Sequence, residues 1–170
     1  KQFPQNEDTV FAPANPYAAA KELAHRMAVI ARHDKNQPQF IACGILFNHE
    51  SPRRGEEFVT RKITRTLARM KAGAEKELVI GNLSAVRDWG FAGDYIEAMW
   101  TMLQADVPDD YVLASGTTHT VRDFINAAAK ALNFRIMWEG EGDKEIGKDA
   151  KGNVVVRVSK EFFRPIEKVD

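Results

Sequence analysis

Three features of the sequence predict an α/β fold. They are a continuous apolar segment of strand length, helical stretches alternating with short strand-like segments, and a polar loop broken by Pro and Gly where a strand ends. The apolar segment is Phe40-Ile-Ala-Cys-Gly-Ile-Leu-Phe47. It lacks the alternation of a half-exposed strand, and so reads as one buried on both faces of a parallel sheet. The loop is Asn48-His-Glu-Ser-Pro-Arg-Arg-Gly-Glu-Glu57, at the carboxyl end of that strand, where open α/β sheets place ligand contacts.

The other elements follow in chain order. Residues 1–16 hold Pro4, Pro13 and Pro16 and read as loop. A helix is predicted over 17–33, rich in strong helix formers, with Ala20, Ala24, Met27 and Ala31 forming a narrow face for close packing. A second helix, about 57–71, places Val59, Ile63, Leu67 and Met70 on one side. Leu78-Val-Ile80 is a short strand closed by the Gly81-Asn82 turn. A third helix, about 91–104, presents Ala92, Tyr95, Ile96, Met99, Trp100 and Leu103. Tyr111-Val-Leu-Ala114 is a strand, and Thr120 with Asp123 forms a capping box that opens a helix bearing Val121, Phe124, Ile125, Ala128 and Leu132. The last strands are Arg135–Trp138 and Val154–Val158, separated by a Gly- and charge-rich stretch expected to be mobile.

Composition removes several function classes. The chain has 170 residues, with 24 Lys and Arg balancing 24 Asp and Glu, which argues against a nucleic-acid binder. It contains no apolar run of roughly 18 residues, the length a membrane-spanning helix needs, and its start carries no leader-like apolar region. A single cysteine, Cys43, allows no internal disulfide, so a reducing, cytoplasmic location is expected. The chain opens on Lys rather than Met, as though it belonged to something longer.

Chemistry concentrates in a few places. Tyr17 and Lys21 lie four apart and share a helix face. An ammonium beside a phenol favours phenolate and lowers the Tyr pKa from about 10, so the phenol can take a proton from a hydroxyl. The same spacing also suits an ordinary first helical turn. Residues 53–71 hold seven basic and two acidic side chains, the largest charge excess in a neutral chain. Arg53 and Arg54 have the forked geometry that suits phosphate, whereas Arg65 and Arg69 read as a solvated face. Arg87 precedes the third helix, where an anion would meet a helix N-terminus, or is a surface residue paired with Asp88 or Asp94. His25 and His33 lack an acidic or Cys partner spaced along their helix, so no metal site is expected. Cys43 reads as a small core residue.

These residues resemble a known family. Pro16-Tyr-Ala-Ala-Ala-Lys21, Gly44-Ile-Leu-Phe-Asn-His-Glu-Ser-Pro-Arg-Arg-Gly55, Phe58-Val-Thr-Arg-Lys-Ile63, Gly81-Asn-Leu83, Arg87-Asp-Trp-Gly90, Asp94-Tyr95 and Phe163-Arg-Pro165 are similar to the GDP-mannose 4,6-dehydratases. These are extended members of the short-chain dehydrogenase/reductase superfamily. The Tyr-x-x-x-Lys pair identifies the superfamily. The loop and the Phe-Val-Thr-Arg-Lys-Ile segment point to this dehydratase over its UDP- and dTDP-sugar relatives.

The resemblance implies a partial NAD(P)-binding Rossmann-like sheet in residues 1–56 and a smaller α/β nucleotide-sugar-binding domain in 57–170. The strand near 111–114 and the helix over 121–132 are candidates to return to the Rossmann sheet. It further implies NADP as cofactor and GDP-mannose as substrate. Oxidation at the sugar C4, loss of water across C5 and C6, and return of the hydride to C6 would give GDP-4-dehydro-6-deoxy-mannose, on the route to GDP-fucose and related deoxysugars. Tyr17 would be the base, with Lys21 on the nicotinamide ribose; His49 and Arg54 would contact the cofactor. Asn48, Val59, Lys62, Leu83, Arg87, Arg164 and Glu167 would line the GDP part of the substrate site. The Arg53–Arg54 loop would reach a neighbouring subunit's cofactor in a homotetramer. The family's Gly-rich dinucleotide loop and its upstream catalytic Thr and Glu have no counterpart here, so the chain reads as a carboxyl-terminal portion, inactive alone. The competing readings are a non-catalytic GDP-sugar-binding fragment or assembly stub, and another nucleotide-sugar dehydratase or epimerase.

Overall fold

The structure is a computed structural model that describes residues 3–163. It is mixed α/β and divides into two compact units, one within Lys1–His49 and Gly90–Ser115, the other within Glu50–Trp89 and Gly116–Asp170. The chain therefore crosses between the units after residues 49, 89 and 115.

The first unit contains α1 (Pro16–Arg32) and β1 (Cys43–Leu46), joined later by α3 (Ala92–Met102) and β5 (Asp110–Leu113). Asn15 caps α1 by accepting the Ala18 N–H at 2.8 Å, with Pro16 at the first helical position. β1 and β5 pair in parallel, Cys43 opposite Asp110 and Leu46 opposite Leu113. β1 is half-buried rather than covered on both faces. The described residues place a single neighbouring strand beside it, and an apolar run signals a capacity for burial that only neighbours can fill.

The helix faces differ from expectation for the same reason. On α1 it is Ala18, Glu22, His25, Val29 and Arg32 that turn inward, while Ala20, Ala24 and Met27 are exposed. On α3 the buried stripe is Tyr95 and Met102, flanked by half-buried Ala92 and Met99, whereas Ile96, Trp100 and Leu103 are exposed. Periodicity identifies an apolar face but not the surface it meets.

The second unit holds α2 (Val59–Lys71), β3 (Leu78–Ile80), β6 (Thr118–Thr120), α4 (Val121–Ala131), β7 (Met137–Glu139), β8 (Ile146–Lys148) and β9 (Val154–Val158). Two further strands, β2 (Asn48–Glu50) and β4 (Val86–Phe91), are where the chain passes between units. A mixed sheet runs β3-β9-β8-β7, parallel at β3–β9 and antiparallel elsewhere. Ile63 and Leu67 of α2, Ile125 and Ala129 of α4, Leu78 and Ile80, and Val155, Val156 and Val158 form one core. Burying each large side chain contributes roughly 1.5–3 kcal/mol.

The α4 capping box forms as expected: Asp123 N–H donates to Thr120 Oγ1 at 3.0 Å, and Thr120 N–H to Asp123 Oδ2 at 2.9 Å. The helix ends in a Schellman motif. Asn133 sits at φ 52°, its N–H reaches Lys130 O at 3.0 Å, and the Phe134 N–H reaches Ala129 O at 2.8 Å.

The stretch expected to be mobile is instead built into the sheet as β8. Buried Glu145 pairs with Arg122 at 2.6 Å, Trp138 Nε1 donates to Asn126 at 3.0 Å, and Gly147 packs where a Cβ would lie 2.7 Å from Ile136. Residues 86–91, read as lead-in to α3, are a strand whose Val86, Arg87 and Asp88 pair with Thr120, His119 and Thr118.

Candidate functional site

Tyr17 and Lys21 project from the first turns of α1, on the face their spacing requires, and Tyr17 is 75% exposed. Both line an open cavity of about 430 Å³ walled by Phe11, Pro13, Gly44 and Leu46. The polar pair thus borders a largely apolar recess beside β1. Asn48 is exposed at the start of β2. His49 is half-buried, and its Nδ1 lies 3.0 Å from the Phe47 carbonyl. A carbonyl only accepts, so Nδ1 carries the proton and Nε2 remains for a ligand. The His49 ring lies 5.1 Å from that of Tyr95, which is buried. Gly90 closes against the same ring: a Cβ there would fall 2.4 Å from Tyr95. Two of the quoted motifs therefore converge on Tyr95, which the sequence analysis did not single out as a site residue.

In the second unit the loop after β2 is a series of tight turns, with Arg54 N–H donating to Ser51 O at 3.0 Å and Phe58 N–H to Gly55 O at 3.1 Å. Glu50 anchors it by accepting from Thr60 Oγ1 at 2.8 Å and forming an ion pair with Arg54 at 3.3 Å. The Arg54 guanidinium lies over the Phe58 ring at 3.6 Å, so it is already engaged within its own unit, whereas Arg53 is exposed. Phe58 caps α2 with no side-chain bond, leaving first-turn N–H groups and the positive end of the helix dipole beside Val59 and Lys62.

Lys62 stands over the Phe162 ring at 3.8 Å, and burial pushes its ammonium below the ordinary lysine range. Phe162 in turn closes on Gly81, where a Cβ would sit 2.5 Å from the Phe162 carbonyl oxygen. Gly81 and Lys62 thus meet the same residue, Gly81 against its backbone and Lys62 over its ring. Leu83 is 2% exposed and its carbonyl accepts the Arg122 backbone N–H at 3.0 Å, so the residue belongs to the core. Arg87 donates to the Val86 carbonyl at 2.7 Å, and buried Asp88 accepts the Gly116 N–H at 2.8 Å. Arg65 and Arg69 sit on the outer face, paired with Glu56 at 2.8 Å and Glu75 at 2.5 Å. Arg164 and Glu167 lie outside the described residues.

A cluster invisible in the sequence lies under α1. His25 Nε2 is 2.8 Å from Asp110 Oδ2, Arg32 holds Oδ1 at 2.8 Å, and Cys43 completes the group. His25 lacks partners along its own helix; those it has come from β1 and β5, 85 residues away for Asp110. Burial, then the Asp110 carboxylate, pushes the Cys43 thiol up in the absence of a bound cation. Burial also pushes Asp110 up, but hydrogen bonds and charge from Arg32 and His25 outweigh it and hold the carboxyl below its ordinary range.

A parallel β1–β5 pair with a Tyr-x-x-x-Lys helix beside it is an arrangement similar to that of the extended short-chain dehydrogenase/reductases. Among solved structures, the chain resembles RMD from Pseudomonas aeruginosa, a complex with NADPH, at TM-score 0.75 and 21% identity over 92% of this chain and 48% of that one. It also resembles dTDP-glucose 4,6-dehydratase from Bacillus anthracis, a complex with NAD, at TM-score 0.67 and 21% identity over 78% and 41%. At such identities the likeness is one of fold.

The family profile described as GDP-mannose 4,6 dehydratase matches residues 1–170. GDP-mannose 4,6 dehydratase of Drosophila melanogaster is 50% identical over 98% of this chain and 42% of its own. GDP-mannose 4,6 dehydratase 2 of Caenorhabditis elegans is 47% identical over 98% and 43%, and the Homo sapiens protein 46% over 98% and 45%. The chain belongs to the GDP-mannose 4,6-dehydratase family, and spans less than half the length of these relatives.

Proposed function

We propose that the chain carries the GDP-sugar-binding part of a GDP-mannose 4,6-dehydratase together with the Tyr-Lys pair of its redox centre. The observation that carries this is the grouping of Lys62, the uncapped start of α2 and Gly81 around Phe162. An ammonium and free helical N–H groups form an anion site for a diphosphate. Lys21 steadies Tyr17 as phenolate, which takes the proton from the mannose C4 hydroxyl and becomes the neutral phenol. The recess lined by Tyr17, Lys21 and Gly44 fits the nicotinamide end of NADP, which when bound supplies hydride acceptance and return. His49 offers Nε2 to the same cofactor. The product is GDP-4-dehydro-6-deoxy-mannose, used toward GDP-fucose in the cytoplasm. In the assembled homotetramer the exposed Arg53 reaches a neighbouring subunit's cofactor, with Arg54 holding the loop through Glu50 and Phe58.

Thermal melting of the chain with GDP, UDP or dTDP tests the reading. A ligand at roughly a hundred times its Kd stabilises the folded state by about 2.7 kcal/mol, or about 5–10 °C for a chain of this size. GDP is expected to give such a shift and the other two much less. Equal shifts, or none, would count against a guanosine-diphosphate site in this chain.

A further inference from the structure

We infer that His25, Cys43 and Asp110 form a site for Zn²⁺, bound through His25 Nε2, Cys43 Sγ and Asp110 Oδ2. Their ligand atoms lie within 4.8 Å of one another. With Zn–S near 2.3 Å and Zn–N or Zn–O near 2.0–2.2 Å, a tetrahedron sets its corners roughly 3.3–3.6 Å apart. Closing on an ion thus takes side-chain movements of about 1 Å, while His25 and Asp110, now at 2.8 Å, open by about half of that.

The backbone arrangement explains why the three meet. Cys43 and Asp110 begin adjacent parallel strands and are Cα partners in the register, so their side chains share a face. α1 brings His25 to Asp110 on that face, with Arg32, two turns further along, on the same carboxylate. Phe11 packs edge-on against His25 at 4.9 Å. Arg32 is bound to Oδ1 and leaves Oδ2 for the ion, the orienting contact that metal-ligating carboxylates commonly show. The donor set is that of zinc: one thiolate, one imidazole and one carboxylate, with a fourth position for water. On binding, the thiol proton passes to solvent, and His25, whose Nε2–H now donates to Asp110, takes the Nδ1–H tautomer so that Nε2 can ligate. The thiolate and carboxylate charges then neutralise the ion, and Arg32 remains the one unmatched charge of the group.

Co²⁺ added to the reduced chain tests this, since a thiolate ligand gives sulfur-to-cobalt charge-transfer absorption in the near ultraviolet and a tetrahedral site gives strong bands in the red. Both are expected, and both should vanish when Zn²⁺ is added in equimolar amount. Cys43→Ser should abolish the charge-transfer band. Asp110→Asn, which preserves the hydrogen-bonding shape, should weaken Zn²⁺ binding by roughly tenfold or more. His33, His49 and His119 cannot produce a thiolate band. Folded wild-type chain that takes up Co²⁺ without that band, or takes up none, would overturn the site whatever the variants do.

Discussion

Lys62 carries a packing contact in the fold and, in the proposed function, an anion contact as well. Its ammonium is held over Phe162 and partly removed from water, which lowers its pKa before any phosphate arrives. A bound diphosphate favours the charged form, so binding raises that pKa and takes up a proton where the free residue is partly neutral. GDP affinity is expected to be level near neutrality and to fall as the pH climbs toward a value below the ordinary lysine pKa of about 10.4. Lys62→Met should remove this alkaline limb and weaken GDP at neutral pH by roughly tenfold, both readable by calorimetry across pH. An unchanged limb in the variant would assign it to another group. Thr120 carries a purely local role. Thr120→Ala removes one half of the capping box and should cost about 1 kcal/mol in a denaturant melt without altering nucleotide preference.

At the scale of elements, Ile125 of α4 and Ile63 of α2 are both fully buried in the core between the helices and the β3-β9-β8-β7 sheet. Ile125→Ala should destabilise by roughly 2–5 kcal/mol. Gly81→Ala tests a different constraint. Its Cβ would meet the Phe162 backbone rather than a yielding side chain, so both stability and the GDP shift should fall together. Elements whose sequences repeat their apolar residues strongly were legible: α2, α4, β3 and β9 lie where periodicity, capping and β-branching place them. β4, β6 and β8 were not. Val-Arg-Asp-Trp, Thr-His-Thr and Ile-Gly-Lys carry little strand character of their own, and their extended form comes from the strands they pair with, over thirty residues apart for Val86 and Thr120 and in local hairpins for β8.

Across the whole molecule, legibility of the site followed the same division. Tyr17 with Lys21, and the Asn48–Gly55 loop, were readable because their residues are close in sequence. The Tyr95 contact with His49, the Phe162 bridge between Lys62 and Gly81, and the His25–Cys43–Asp110 group exist only through tertiary packing. The two units also differ in how they are held. Among the described residues, the second has the twelve-residue apolar core, while the first buries Tyr95 and Met102 as its only large apolar side chains. No residue of α1 is fully buried, and β1–β5 is a two-stranded pair, an arrangement of marginal independent stability. Local opening free energy scales with such burial. Amides in the middle of α1 should therefore exchange with solvent at least about tenfold faster than those of α4 and β9, a difference of roughly 1.4 kcal/mol in opening free energy. Native-state hydrogen exchange reads this directly. Protection in α1 equal to that in α4 would mean that the polar clasp of His25 and Arg32 on Asp110 holds the helix as firmly as an apolar core does.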